Sequence, residues 1–371
     1  MPKRIVNVLD IFGTGGGKSG RCMKLIMGLD ALGYEQMVIV MNQTDIETHP
    51  DIQRAKHVRL EIVEKNRIGY LSAVRKVFHL LNEFHPDVVQ VWGPSVSASM
   101  TGLYALTHRY FKYIGAYIAD CLYPRYGFLG KCLHTYSRWR CDAFVGNSQA
   151  ALDSYKIPKH KQVLIYNGFV PRQVPFRSKD EILAELGLDV KYIISMIAVM
   201  RKEKDYETYL QCAEELCKER DDVAFLCIGR GPQEEFYREK VKKMNQQRIQ
   251  VLGFKYDIDN YYKASYITVT CNTIMKSGAV TESLSNSIVE SMAVGTPALA
   301  TNAGGTPEIV EDGKNGYLLN AYDVEQLKSK IIYMIEHPVE RERMSVSAME
   351  TIQTRFDIDR MVNEYIELFD K

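Results

Sequence analysis

Residues 281–310 read TESLSNSIVESMAVGTPALATNAGGTPEIV, and the interpretation of the whole chain depends on this stretch. Ser285, Asn286 and Ser287 are residue types that favour the N-cap of a helix, and the apolar residues after them fit one helical face. The run ALAT at 298–301 predicts a short buried strand. A helix start exposes unpaired N–H groups and the positive end of the helix dipole, so this segment is suited to binding a diphosphate.

Two glutamates, Glu282 and Glu290, are separated by seven residues within this stretch. The predicted helix leaves Glu282 in the preceding loop and places Glu290 near the first turn. Carboxylates accept hydrogen bonds from hydroxyl groups, so both residues are suited to holding a sugar or a ribose. An ordinary α/β helix flanked by two solvated glutamates fits the spacing equally well, and the spacing alone leaves both interpretations open.

The stretch resembles the E-x7-E signature of the GT4-type retaining glycosyltransferases (glycosyl transferases group 1), which have the GT-B fold. The family pattern continues as GGTPEIV at 304–310 and DGKNGYL at 312–318. The resemblance implies an α/β chain with two Rossmann-like domains facing across a cleft and a C-terminal helix that crosses back to the first domain. It covers nearly the whole chain, most strongly residues 160–168 and 250–320 and most weakly residues 109–140.

Strands and helices are predicted to alternate along the chain, which is typical of mostly parallel sheets covered by helices. With the resemblance, this predicts an acceptor-side domain at 1–172, a nucleotide-sugar domain at 173–355 and a crossover helix at 356–371. Residues 171–190 contain two prolines and a charged run and are interpreted as the linker. The last segment has one apolar helical face, formed by Ile358, Met361, Val362, Tyr365, Leu368 and Phe369.

The net charge of +1 conceals an uneven distribution over the 371 residues. Residues 1–172 contain 22 Lys and Arg against 13 Asp and Glu, and residues 173–371 contain 25 against 33. The eight cysteines form no C-x-x-C pair and are interpreted as buried or incidental thiols of a reducing cytosol. Because no apolar run approaches the roughly 20 residues of a membrane-spanning helix and no signal peptide is recognised, a cytoplasmic location is predicted.

A glycine-rich segment, GTGGGKSG at 13–20, lies between a predicted strand and a predicted helix. α/β proteins approach phosphate groups with this geometry. A P-loop needs a glycine five positions before Gly17, where this chain has Phe12, so a P-loop phosphotransferase is the less favoured alternative. The resemblance implies instead that the loop, at Gly16 and Gly17, borders the donor phosphates and the acceptor.

The resemblance also implies a nucleotide-sugar donor, whose departing diphosphate is stabilised by fixed cations and N–H groups. The family pattern R-x4-K is R-x2-K here, so that Lys204 aligns while Arg201 either reaches from a shifted position or leaves the phosphate one partner short. Glu282 is expected to bind donor-sugar hydroxyls and Glu290 the ribose. Further donor-binding positions implied by the resemblance are Gly253, Phe254, Leu284, Ser285, Asn286 and Ser287.

Many GT4 enzymes carry a histidine after the strand that here reads GAYIAD at 115–120, and this chain has Asp120 instead. Asp120 either contacts the sugar or acceptor hydroxyl in place of that histidine or caps the segment that follows. The departure favours the alternative of a non-catalytic GT-B protein that binds a nucleotide or a glycan. No D-x-D metal motif is present, and the resemblance implies a reaction without a metal or other cofactor.

Residues 109–140 interleave basic and aromatic residues with one acid. Such a segment fits three interpretations: a solvated surface, a contact with an anionic membrane and, as the least favoured, a nucleic-acid site. We expect no nucleic-acid partner. The expected function is retaining transfer of a sugar from a nucleotide sugar, a UDP-sugar, to an acceptor hydroxyl. Cell-surface polysaccharide or lipid-linked glycan synthesis is the expected process, at the inner face of the membrane, by analogy of fold.

Overall fold

The computed structural model describes residues 2–13, 17–42, 50–93, 96–116, 132, 135–136, 138–274 and 282–371. The chain divides into two compact units. The first unit comprises Met1–Gly168 together with Asp357–Lys371, and the second comprises Phe169–Phe356. Each unit is built around one parallel sheet, so the predicted α/β organisation is confirmed.

The sheet of the first unit has seven strands in the order β3-β2-β1-β4-β5-β6-β7, all parallel to their neighbours. Alternate residues of β1 face opposite apolar clusters, with Ile5 and Leu9 on one side and Val6 and Val8 on the other. Burial on both faces is typical of parallel sheets. The strands are β1 (Ile5–Leu9), β2 (Gln36–Val40), β3 (Val58–Ile62), β4 (Val88–Trp92), β5 (Lys112–Ala116), β6 (Ala143–Gly146) and β7 (Gln162–Leu164).

The sheet of the second unit has six parallel strands in the order β10-β9-β8-β11-β12-β13. The strand order reverses between β8 and β11, and in open α/β sheets ligands bind at the carboxyl ends of the strands beside such a reversal. The strands are β8 (Tyr192–Ile197), β9 (Val223–Ile228), β10 (Ile249–Gly253), β11 (Ile267–Thr270), β12 (Ala298–Thr301) and β13 (Gly316–Leu319).

Helices cover the sheets, and we number those of the described part of the chain in order. The first unit contains α1 (Gly17–Ala31), α2 (Pro50–Arg54), α3 (Lys65–Ile68), α4 (Tyr70–Phe84), α5 (Val96–Thr107), α6 (Gln149–Ser154) and the C-terminal α14 (Ile358–Asp370). The second unit contains α7 (Lys179–Leu186), α8 (Tyr206–Glu219), α9 (Glu234–Met244), α10 (Ile258–Ala264), α11 (Asn286–Ala293), α12 (Val324–Glu336) and α13 (Pro338–Arg355).

The C-terminal helix α14 returns to the first unit, as predicted. Its apolar face, including Met361, Val362 and Tyr365, is buried in the cluster that also contains Leu25 and Leu29 of α1. Two ammonium groups satisfy carbonyls at the end of this helix. Lys3 Nζ donates to the Phe369 carbonyl at 2.5 Å, and Lys112 Nζ donates to the Leu368 carbonyl at 2.5 Å. The burial of the apolar face in this cluster confirms the residues predicted to form it.

The interpretation of residues 171–190 as a linker is wrong for the part that forms α7. Ser178 and Glu181 form a reciprocal capping box at the start of α7, and Gly187 ends the helix in the left-handed conformation at φ 64°. Ile182 is buried under the helix. The charged residues that suggested a linker are the solvent face of a short helix. Two edge strands, β3 and β13, were also not predicted.

None of the helices in the described ranges is both long enough and apolar enough to cross a membrane.

The packing of α1 against α14 depends on the lack of a side chain at Gly28. A Cβ atom there would lie closer to Val362 Cγ2 than real Cβ atoms approach, and the β-branched Val362 has little rotamer freedom. We predict that Gly28→Ala lowers the free energy of unfolding by about 1–3 kcal/mol through overpacking.

The control for this variant is Gly20→Ala in the same helix. A Cβ at Gly20 meets no described atom within 4 Å, so the variant should gain up to about 1 kcal/mol from helix propensity. Urea denaturation of both variants measures the difference. Equal stabilities would show that α14 does not pack on α1 in this way.

Candidate active site

Lys204 lies beside the strand-order reversal of the second sheet. It ends the turn that follows β8, and its backbone forms an isolated antiparallel bridge with Asn272, which follows β11. Asp205 fixes the turn from the other side, because its carboxylate caps α8 by accepting from the Thr208 N–H at 3.1 Å and the Thr208 hydroxyl at 2.6 Å. The backbone around Lys204 is therefore held before any ligand binds.

The Lys204 ammonium group is paired with Glu282. Lys204 Nζ donates to Asn272 Oδ1 at 2.8 Å and to Glu282 Oε2 in a short charge-assisted hydrogen bond. The side chains of Lys204 and Glu282 are only 8% and 15% exposed. A nearly buried ammonium group requires a counter-charge, and Glu282, in the loop before α11, supplies it. Two of the predicted site residues are thus in direct contact.

Arg201 is not part of this pair in the structure. Its Nε lies 3.7 Å from Glu203 Oε2, and the two side chains are 43% and 42% exposed. The surface position of this turn suits it to moving toward a ligand. With the shortened R-x2-K spacing, Lys204 therefore lies at the edge of the sheet, and Arg201 lies on the exposed side of the turn.

Glu290 projects from α11, one residue beyond its first turn. One carboxylate oxygen, Oε1, accepts from Arg172 Nη2 at 2.6 Å, and the other, Oε2, accepts from the Tyr262 hydroxyl at 3.1 Å. Burial, followed by the charge of Glu290, raises the pKa of Tyr262 well above its ordinary value. Tyr262 therefore stays protonated, and its hydroxyl donates a hydrogen bond to the carboxylate. The Glu290 side chain remains 21% exposed.

The N-terminus of α11 lies between the two glutamates in sequence. Ser285 is the N-cap, but its hydroxyl does not cap the backbone and instead lies 3.0 Å from the Ser287 hydroxyl. Leu284 and Ser285 are buried, whereas Asn286 is exposed. Because Ser285 uses its hydroxyl in this way, the first turn of the helix is not capped by that side chain, which suits it to binding an anion.

Gly253 is the last residue of β10, and Phe254 follows it at the carboxyl end of the strand. Gly253 has φ +70°, a backbone conformation that favours glycine. Phe254 is half exposed, and its ring lies 5.0 Å from the Arg230 guanidinium carbon. An exposed aromatic face supported by a cation is suited to stacking against a planar base.

The remaining predicted positions lie in the first unit. Gly17 is the first residue of α1, and Gly16 and Asp120 lie outside the described residues. Within the described ranges, no group of three or more His, Cys, Asp or Glu side chains is placed to hold a metal ion. Six of the seven described cysteines are buried, and burial raises the pKa of Cys217 to about 11, so that this thiol stays protonated at neutral pH.

Sequence reasoning missed Arg172, Tyr262 and Asn272. Arg172 lies in the segment interpreted as a linker, and its contact with Glu290 spans 118 positions. Tyr262 lies in α10, which was not predicted. The one available signal was the position of Asn272, since a polar residue directly after a buried strand lies at the ligand-binding edge of a parallel sheet.

The Lys204–Glu282 pair predicts an asymmetric effect of mutation on stability. Lys204→Met leaves Glu282 without its cation and should lower the free energy of unfolding by about 3 kcal/mol. The double variant Lys204→Met/Glu282→Gln removes both charges and should lose less. Denaturant unfolding measures both values.

The control is Lys218→Met, which removes an exposed pair with Glu214 and should change stability by less than about 0.5 kcal/mol. If Lys204→Met and the double variant proved equally unstable, the two charges would not be coupled as the structure shows.

Comparison with known proteins gives a family match over part of the chain and one fold. The profile of the family described as glycosyl transferases group 1 matches residues 178–351. Spore coat protein SA of Bacillus subtilis is 27% identical over 207 residues, which cover 53% of each chain. The lipopolysaccharide core biosynthesis glycosyltransferase LpsD of Rhizobium meliloti is 19% identical over 361 residues, covering 97% of this chain and 96% of that relative.

The chain spans about half the length of the first four curated relatives that it matches. A crystal structure of Anabaena Alr3699/HepE in complex with UDP is similar over 99% of both chains, with a TM-score of 0.82 and 18% sequence identity. The likeness covers both parallel sheets and shows the fold. Residues 178–351, a little under half of the chain, thus match the glycosyl transferases group 1, and the chain has the GT-B fold.

Proposed function

We propose that this protein is a retaining glycosyltransferase of the hexosyltransferase type. It moves a sugar from a nucleotide sugar, a UDP-sugar, to an acceptor hydroxyl. The observation that carries the proposal is that two glutamates of the family signature flank the start of α11, each already bound to a cation: Glu282 to Lys204 and Glu290 to Arg172. The matching family and the UDP complex of the similar Anabaena protein support this donor class.

The proposed donor geometry follows from the charges of the second unit. The diphosphate lies at the N-terminus of α11 and toward Lys204, the ribose at Glu290 and the sugar at Glu282. Breaking the anomeric bond adds negative charge to the departing diphosphate, and a fixed ammonium group stabilises this charge most where water is excluded. Lys204, held by Asn272 and Glu282, meets that requirement.

In the proposed transfer the acceptor oxygen forms the new bond to the anomeric carbon as the bond to the diphosphate breaks. The proton of the acceptor hydroxyl passes to a diphosphate oxygen, and the configuration of the sugar is retained. The proposed reaction uses no metal ion or other cofactor, because Lys204 and the helix N–H groups act on the diphosphate. In this proposal Arg201 moves from the surface turn to the diphosphate, and Asp120 contacts the acceptor or sugar hydroxyl.

We propose that the base lies near Gly253 and Phe254 and that the glycine-rich loop at Gly16 and Gly17 borders the phosphates. The full-length similarity to a lipopolysaccharide core glycosyltransferase supports a glycan acceptor in cell-surface polysaccharide or lipid-linked glycan synthesis. We place the reaction in the cytoplasm at the inner face of the membrane.

Contact with an anionic membrane surface through residues 109–140 is part of this proposal. Within this segment Tyr110 and Trp139 are 53% and 65% exposed. Both line a groove of about 870 Å³ in the first unit, whose cationic residues are Lys3, Arg109, Lys112, Arg140 and Lys371. Exposed aromatic rings beside cations are suited to the interface of an anionic bilayer.

The role of Glu290 predicts loss of nucleotide binding on substitution. A ligand that binds the folded state raises the melting temperature, so UDP should stabilise the wild type more than GDP, ADP or CMP does. Glu290→Gln should weaken UDP binding by about tenfold to a hundredfold, because hydrogen bonds to a charged group are lost. Thermal melting with a nucleotide series measures this effect.

The control for that experiment is Glu340→Gln, which removes an exposed pair with Arg343 and should leave UDP binding intact. No shift of the wild type with any nucleotide would contradict the proposed donor site. Nucleotide binding with no UDP-sugar turnover over an acceptor panel would favour the alternative, a GT-B protein that binds without transfer.

The membrane contact is testable through the two tryptophans of the chain. Trp92 is fully buried, whereas Trp139 is exposed, so only Trp139 responds to an interface. Vesicles with anionic phospholipid should shift the emission to shorter wavelength, and neutral vesicles should not. Trp139→Phe should abolish the shift. Failure of the wild type to sediment with anionic vesicles at low salt would contradict the contact.

A further inference from the structure

The segment that opens the second unit is fixed on α10 by Arg172. Its backbone N–H donates to Asp259 Oδ2 at 3.3 Å, and its side-chain Nη1 donates to Asp259 Oδ1 at 2.5 Å. Asp259 is 8% exposed, so the acceptor of both bonds is nearly buried. The guanidinium group is thereby anchored at one edge and keeps a second edge for another partner.

The second edge of the guanidinium group contacts Glu290. Arg172 Nη2 lies 2.6 Å from Glu290 Oε1, so one planar cation joins a carboxylate of α10 to a carboxylate of α11. Burial lowers the pKa of Arg172, but the charges of Glu290 and Asp259 more than offset it, and the net pKa lies above its ordinary value. Arg172 is therefore charged at neutral pH.

The two bonds to Glu290 leave a specific set of acceptor positions. An ionised carboxylate has about four lone-pair sites, of which Arg172 and Tyr262 use one on each oxygen. About two sites remain, one on each oxygen, and the side chain is partly exposed. A ribose offers two neighbouring hydroxyl donors, the 2′-OH and the 3′-OH, which match these two sites in number.

We infer that Arg172 is a positioning residue for the nucleotide ribose: anchored on Asp259, it holds Glu290, together with Tyr262, so that both carboxylate oxygens face the 2′- and 3′-hydroxyls. The inference rests on the proposed function, because it assumes that Glu290 receives the ribose. It adds a residue outside the family signature to the site and predicts selectivity for a ribose over a 2′-deoxyribose.

The physical reason is preorganisation. A free glutamate side chain has several rotamers and must be ordered when the ribose binds, whereas a glutamate fixed by Arg172 is ordered beforehand. Without the guanidinium group, the carboxylates of Asp259 and Glu290 lose the cation that they share and repel each other. The opposite arrangement, in which Arg172 blocks Glu290 and must leave before the nucleotide enters, predicts tighter binding when Arg172 is removed.

The test measures dissociation constants for UDP and 2′-deoxy-UDP by isothermal titration on four proteins. These are the wild type, Arg172→Met, Arg172→Lys and Arg177→Met. Arg177 is the matched control, because it lies in the same segment and pairs with Asp257 beside α10 and with Glu185 rather than with Glu290. Melting curves without nucleotide confirm that each variant is folded.

We expect Arg172→Met to weaken UDP binding about tenfold and to weaken 2′-deoxy-UDP binding much less, so that the preference of the wild type for UDP falls toward one. Arg172→Lys keeps the charge but not the planar fork and should fall between the two. Arg177→Met should match the wild type. If Arg172→Met fails to fold, Tyr262→Phe, which removes the bond to the other oxygen, should lower the same preference.

Two results would overturn the inference while leaving the proposed function intact: an unchanged UDP preference in Arg172→Met, or tighter binding of UDP by that variant. A wild type that binds UDP with no preference over 2′-deoxy-UDP would also overturn it. A wild type that binds no nucleotide overturns the proposed function itself, and this inference with it.

Discussion

The candidate site depends on the ion pair between Lys204 and Glu282. Lys204 belongs to the turn after β8, Asn272 follows β11, and Glu282 precedes α11, so one ammonium group connects three segments at the carboxyl edge of the second sheet. Because both charged side chains are nearly buried, neither tolerates the loss of the other. The strand order of a parallel sheet creates the crevice, and this pair fixes the segments that line it.

A similar balance of charge recurs at Glu290. The second half of the chain has an excess of acidic residues, which opposes the binding of a diphosphate. At the site, however, each signature glutamate is bound to a cation, Lys204 or Arg172. The carboxylates therefore keep acceptor capacity for hydroxyl groups while their charge is locally offset. This arrangement reconciles an acidic domain with the anionic ligand that we propose for it.

Much of the fold could be predicted from the sequence, because strands and helices of this chain have local signals. The stretch at 281–310 indicated the loop with Glu282, the start of α11 and the strand β12, and its resemblance indicated two sheets and a returning helix. Contacts that bring distant segments together have no local signal. The pairing of Glu290 with Arg172 and Tyr262 required the placement of α10, and the capping box of α7 was obscured by its charged surface.

A crystal structure of the protein grown with UDP would test the position of the donor site. We expect the ribose hydroxyls to donate to Glu290 and the diphosphate to lie within hydrogen-bonding distance of Lys204 and the first N–H groups of α11. UDP bound elsewhere, with Glu290 and Lys204 making no contact with it, would contradict the assignment of this sheet edge as the donor site.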